Sequence, residues 1–216
     1  MQLYIVLQFI PDFLKATVET LKLAFLSGLF AFFLGIALAA IYQVKFRVIT
    51  VPINIYTSII RGTPLLVQLY FVYYGLSQIG IMVDPYTSAV LTFTLNTGAY
   101  MVEIFRGGIE GIDKGQYNAA YSLGMSWTSC LVNIIFPQVL RRIIAPLLTQ
   151  LAYLIKDTSL ASILIICELT YTYRHMASYT YRSFEALIPP MLIYFSLYIF
   201  FRLVSTIFES RKARRA

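Results

Sequence analysis

The sequence predicts an all-α membrane protein, a single bundle of about five transmembrane helices. Three observations predict it. The chain of 216 residues is 59% hydrophobic and only 12% charged, its apolar residues fall into long runs separated by short polar breaks, and its basic residues gather at the ends of those runs. A soluble domain carries about 25% charged residues, so the solvent this composition fits is hydrocarbon. A bilayer core about 30 Å thick takes roughly 20 apolar residues per helical span, and this length holds about five spans with little left over. We expect one transmembrane domain over residues 13–209, an amphipathic lead-in at 1–12 and a basic tail at 210–216. The N-terminus lacks a short cleavable signal, so the chain itself is expected to insert.

The first run, Thr17 to Tyr42, carries Ala31, Gly35 and Ala39 at four-residue intervals. That spacing lines small side chains along one face, where a second helix can approach closely. The second run, Pro52 to Val83, is interrupted near its start by Arg61-Gly62-Thr63-Pro64. Proline removes a backbone donor and disturbs the preceding turn, which predicts a kink. The third run, Tyr86 to Phe105, follows a hinge containing Gly80, Asp84 and Pro85. Glu103 in its last turn is expected to snorkel or to pair with Arg106, and Arg61 near the same end to anchor or gate.

A polar segment, Gly107 to Pro137, has helical signals of its own. Asp113 with Gln116 three residues on fits a capping box and Gly124 fits a helix stop, predicting a short helix over Lys114 to Leu123 outside the bilayer. The fourth run starts after Arg141 and Arg142, passes Pro146 and reaches Leu169, interrupted by Lys156 and Asp157. The fifth, Leu187 to Phe208, ends in the tail Arg211, Lys212, Arg214 and Arg215.

Basic residues are retained on the cytoplasmic side of a membrane. With a cytoplasmic C-terminus, five spans put the N-terminus outside and leave Lys45, Arg47, Arg106, Lys114, Arg141, Arg142 and the tail inside. The net charge of +7 is thus read as topology, not as a nucleic-acid surface. Cys130 and Cys167 fall on opposite sides, which excludes a disulfide between them. A lone His175, in an outer loop with Tyr171, Tyr173, Tyr179, Tyr181, Arg174 and Arg182, offers no paired-histidine metal motif. No catalytic constellation emerges, and an enzyme is not expected.

The polar segment carries a resemblance. Asn118, Ala119, Ala120, then Gly124, then Ile134, Phe136 and Pro137 resemble the signature loop of ABC-importer permeases, Glu-Ala-Ala, three residues, Gly, nine residues, Ile, one residue, Leu, Pro. The spacing agrees throughout, with Asn118 in place of glutamate and Phe136 in place of leucine. Arg61-Gly62-Thr63-Pro64-Leu65-Leu66-Val67-Gln68 and Lys156-Asp157-Thr158-Ser159-Leu160 are similar to segments of the polar amino acid uptake branch.

The resemblance implies a type I importer permease fold whose short cytoplasmic helix is a coupling helix docked on an ATPase subunit. It also implies a second permease subunit, identical or related, and an extracytoplasmic solute-binding protein. ATP and Mg would be used by the ATPase, with no cofactor bound by this chain. Independently of it, the chain has no Gly-x-x-x-x-Gly-Lys-Ser/Thr loop, so energy for concentrating a solute must come from elsewhere. Lys156 and Asp157 are the best candidates for the solute pathway, with Thr158 and Ser159 beside them. An ionisable group at membrane depth costs at least about 2.5 kcal/mol and needs a partner or an aqueous cavity. An internal ion pair is the other reading of these two residues. At the level of the whole chain, an ion-coupled secondary amino acid carrier is the alternative.

Overall fold

A computed structural model describes residues 3–44 and 46–213, without the side chains of 3–5 and 209–213. Lys45 and, in the basic tail, Arg214 and Arg215 lie outside the described residues. The described chain is helical almost throughout. A short α1 (Leu3–Gln8) leads into α2 (Ile10–Tyr42), which Pro11 opens at a position where a missing N–H costs nothing. The second run is two helices, α3 (Arg47–Gly62) and α4 (Leu65–Tyr70, continued by a π-helical turn at Phe71–Gly75 and by Leu76–Gln78). Thr63 and Pro64 take extended backbone between them, so the expected kink is a full break. Next comes α5 (Pro85–Glu110), capped by the Asp84 side chain and running five residues past the expected end. The short helix α6 spans Lys114–Ser122.

The fourth membrane helix, α7, begins at Trp127, well before Arg141 where the sequence reading started it. It runs through Trp127–Cys130, a π-helical turn at Leu131–Ile135, Phe136–Asp157 and a 3₁₀ stretch at Thr158–Leu164. Pro137 therefore does not begin a rigid helix. It follows directly on the π turn, where the backbone pattern is already shifted and a missing donor is tolerated. After an Ile165 in the left-handed region (φ 63°), the loop before the last span forms a helix the sequence reading did not anticipate, α8 (Leu169–Thr180). The last helix, α9, spans Ser183–Ala213.

Among the described residues, three helices are long and apolar enough to cross a membrane on length and composition alone: α2, α7 and the Ser183–Phe208 part of α9. The other two crossings differ for physical reasons. The segment α3–α4 is broken at Thr63-Pro64, and α5 lies inside the bundle, where Ser88, Thr92, Asn96 and Thr97 are buried from lipid. The chain is a five-span helical bundle whose consecutive spans alternate in direction, leaving α6 at one end and α8 at the other.

Packing follows the small-residue stripe. Ala31, Gly35 and Ala39 are buried against α5, and a Cβ on Gly35 would lie 2.6 Å from Cβ of Met101. Without a hydrophobic drive between helices in lipid, such close backbone approach is a main source of association. Three apolar clusters stack along the bundle: Phe13, Leu169 and Met176 at the α8 end, Leu23, Leu69, Phe93 and Leu154 in the middle, and Ala39, Phe105, Ala120 and Cys130 at the α6 end.

Candidate functional site

At its N-terminus, α6 is held by Asp113, whose carboxylate accepts from the Gly115 N–H. The reciprocal half of the expected capping box does not form. Gln116 Oε1 instead accepts from Gln138 Nε2 of α7 at 3.1 Å. The C-terminus closes as a Schellman turn, with Met125 N–H on the Ala120 carbonyl (3.1 Å), Gly124 N–H on the Tyr121 carbonyl (2.9 Å) and Gly124 at φ 74°. Ser126 then caps α7 through the Ser129 N–H.

Each residue of the signature loop has a defined place. Ala120 points inward against Cys130 and Ile135 and is 4% exposed, whereas Asn118 and Ala119 face outward. Ile134 and Pro137 are half-buried on α7, and Phe136 is exposed, as are Val132, Trp127 and Leu123. This end therefore presents an apolar, aromatic surface around a short helix locked at both termini. Two bonds from α7 reach the α5–α6 junction, Gln138 to Gln116 and Arg142 Nη1 to the Gly111 carbonyl.

A second cluster lies deeper. Glu103 Oε2 accepts from Arg106 at 2.8 Å and faces Arg61 at 3.7 Å, and Arg106 also reaches Glu110 at 3.6 Å. The pairing expected for Glu103 is present, and Arg61 joins it while its guanidinium lies 5.3 Å from the centre of the Tyr100 ring. Arg61, Tyr100 and Glu103 border a cavity of about 400 Å³ together with Arg142, Pro146 and Gln150. Above it, Gln68 spans the break between α3 and α4. Its Nε2 donates to the carbonyls of Ile60 (2.7 Å) and Thr63 (3.1 Å) and to the Thr63 hydroxyl (2.8 Å). Its Oε1 accepts from buried Asn96 of α5 at 3.0 Å.

Lys156 and Asp157 do not pair with each other. The Lys156 ammonium sits between Tyr153 and Tyr198, 4.5 and 4.8 Å from the ring centres, a cation–π arrangement that compensates a charge at membrane depth. Asp157 is partly buried on another face, Thr158 is fully buried with its hydroxyl on the Ile155 carbonyl (2.7 Å), and Ser159 is half-buried. On α7, Gln150 and Asp157 are seven residues apart, about two turns, and share a face.

At the opposite end, Glu168 is fully buried and caps α8. Its carboxylate accepts from the N–H groups of Tyr171 (2.7 Å) and Thr170 (2.9 Å) and from the Tyr194 hydroxyl of α9 (2.6 Å). Beyond it, Arg174 reaches the Ser162 hydroxyl at 2.7 Å and His175 is exposed. Hydrogen bonds from Thr87 hold the exposed Asp84 carboxyl below the usual carboxylate range, and burial raises the Tyr117 phenol.

A helical bundle with a capped helix at one end and broken, charge-lined spans inside has the parts of a membrane transport component, not of an enzyme. The chain belongs to the binding-protein-dependent transport system inner membrane component family, whose model matches residues 3–214. Membership sets aside the ion-coupled carrier. The chain is similar to the L-cystine transport system permease protein TcyB of Bacillus subtilis, 42% identical over 150 residues that span 69% of this chain and 64% of that protein. It is 36% identical to the nopaline transport system permease protein NocM of Agrobacterium fabrum, over 94% of this chain and 89% of that one. Its fold matches a crystal structure of an amino acid ABC transporter with histidines, with a TM-score of 0.89 and 33% identity over 95% of this chain and 96% of the other.

Asn96, Gln150, Tyr153 and Tyr198 escaped the sequence reading, and Gln68 entered it only as the last residue of the motif that begins at Arg61. Only the seven-residue spacing of Gln150 and Asp157 was a usable signal.

Proposed function

We propose that this chain is the permease subunit of an ATP-driven importer that moves a polar amino acid across the inner membrane by alternating access. The observation that carries the proposal is the locked helix α6, bonded to α7, with Leu123, Trp127 and Phe136 exposed in the segments that follow it. Asn118, Ala119, Gly124, Ile134, Phe136 and Pro137 form the docking loop for a separate ATPase subunit, which uses the ATP and Mg, and Ala120 anchors that loop to the bundle. Closure of two ATPases then rotates the spans attached to α6, alternately opening the two sides of the pathway.

In this reading the C-terminus and α6 are cytoplasmic and the N-terminus is outside, in line with Arg47, Arg106, Arg141 and Arg142 at the α6 end. The outer end, with α8, receives an extracytoplasmic solute-binding protein. A second permease subunit completes a two-fold pathway against the polar face of α7. Asp157, Thr158 and Ser159 belong to the pathway. Lys156 shapes it from the side, its charge being held by the two tyrosines. Arg61 and Glu103 form a gate at the inner end, where their separation of 3.7 Å lets the pair close or part. Names among the relatives, cystine and nopaline, support a polar amino acid or a derivative as solute.

Uptake of a radiolabelled amino acid panel into proteoliposomes holding this chain, its ATPase and its binding protein tests the reading. ATP-dependent accumulation of one polar amino acid is expected. Accumulation that follows an ion gradient without ATP would overturn it.

A further inference from the structure

The three helices apolar enough to cross a membrane unaided, α2, α7 and α9, meet around a cleft of about 490 Å³. Leu21, Phe25 and Phe32 of α2, Leu147 and Leu151 of α7 and Phe201 of α9 line it, and every other lining residue is also apolar. Gly28 opens its wall, since a Cβ there would already stand 3.1 Å from Leu151 Cδ2.

The depth of the cleft is fixed by charge. No charged residue occurs between Lys22 and Lys45. The helical part of that stretch, Lys22 to Tyr42, is about 30 Å long at 1.5 Å per residue, close to the hydrocarbon thickness. Lys22 thus marks one hydrocarbon boundary. From Leu21 to Phe32 the wall descends about 16 Å, the depth of one leaflet. The Lys22 side chain is 64% exposed at the upper rim, with Glu19 3.5 Å to one side.

We propose that this cleft is a phospholipid site, with one acyl chain between α2 and α7 and the lipid phosphate against the Lys22 ammonium. Hydrocarbon is the solvent at this depth, and a wholly apolar wall one leaflet tall, below an exposed ammonium that Glu19 meets on one side only, matches the shape and charge of an anionic lipid. A second permease subunit is a poorer fit. The polar face of α7 with Gln150 and Asp157, which a two-fold pathway must enclose, is turned about 100° from Leu147 and Leu151.

Native mass spectrometry of the intact transporter, delipidated and titrated with phosphatidylglycerol, tests this. The wild type should retain one lipid per copy of this chain. Gly28→Leu, which puts a side chain into the cleft, should weaken retention by on the order of tenfold, the loss of about two buried methylenes. Lys22→Gln should weaken phosphatidylglycerol but not diacylglycerol. Equal retention by wild type and a folded Gly28→Leu would overturn the site. If Gly28→Leu does not assemble, a photoreactive benzoylphenylalanine at exposed Phe25 decides in native membranes. Lipid adducts support the proposal, and adducts to a second permease chain contradict it.

Discussion

Gln138 of α7 donates from Nε2 to Oε1 of Gln116 on α6 across 3.1 Å, and one turn further along α7 Arg142 donates to the carbonyl of Gly111. These two bonds join α7 to the first turn of α6 and to the end of α5. Gly108 adds steric contact, because a Cβ there would meet Ile143 Cγ2 at 2.3 Å. These side-chain contacts join α6 to α7 in addition to the closed turn between them.

Loss of both bonds should uncouple the machine before it unfolds it. A typical intramolecular hydrogen bond contributes about 1 kcal/mol, and one from a charged donor about 1.5–3 kcal/mol. Gln138→Leu is expected to lower the amount of amino acid moved per ATP slightly. Arg142→Ala should lower it severalfold while the ATPase keeps its basal rate. Parallel measurement of uptake and phosphate release reads this, and unchanged stoichiometry in the double variant would remove the linkage.

The glycine stripe on α2 should be intolerant in proportion to contact. Gly35→Leu overpacks the α2–α5 seam against Met101 and is expected to cost about 1–3 kcal/mol or more. Gly62, where nothing lies within 4 Å of an added Cβ, should accept alanine without loss. Thermal unfolding in detergent compares the two, and equal melting temperatures would contradict the packing described.

Gln68 should be irreplaceable by an apolar side chain. Gln68→Leu removes the two N–H donors that three acceptors share across the α3–α4 break and leaves buried Asn96 without its acceptor, at about 1–3 kcal/mol for the unsatisfied group. Gln68→Leu with Asn96→Leu should recover part of the stability. Neither variant should sustain uptake at the wild-type rate. Full stability of the single variant would show that the break is held some other way.

Asp84 supplies a pH-dependent cap. Its carboxyl is held below the model-compound value of 3.8, so the stability it lends to α5 is present above that pH and is lost as pH falls through the lower folded value. The melting difference between wild type and Asp84→Asn should stay constant down to about pH 4 and shrink only below it. A difference that fades already at pH 6 would contradict the capped geometry.

Orientation is open to a labelling test with the chain's own thiols. Cys167 is exposed at the α8 end and Cys130 is buried at the other. An impermeant maleimide applied to spheroplasts should modify Cys167 alone. Labelling only after the membrane is opened would invert the topology.

Much of this architecture was legible because hydropathy and small-residue spacing act locally along a helix. Ala31, Gly35 and Ala39 announced their face, Pro64 announced the break, and Asp113 and Gly124 bounded α6. The start of α7 was hidden because Ser126, Thr128, Ser129 and Asn133 make its first turns polar, and the π turn at Leu131–Ile135 shifts its periodicity. Helix α8 was missed because its cap is Glu168, a residue type seldom found at that position, and because its tyrosines and arginines read as a loop. Gln68 and Asn96, and likewise Tyr153 and Tyr198, meet only after helices far apart in sequence pack together, so no local pattern reveals them.

The central claim is that α6 transmits ATP-driven motion, and Gly124 addresses it most directly. At φ 74° with open space around it, Gly124 is required for its backbone, not its size. A β-branched side chain there costs about 1–2 kcal/mol locally, while asparagine visits this region readily. The measurement is ATP-driven uptake and ATP hydrolysis, side by side, in proteoliposomes carrying wild type, Gly124→Asn or Gly124→Val. Near-normal uptake with asparagine, and hydrolysis without uptake with valine in a folded permease, is the predicted result. Wild-type uptake with valine would contradict the account.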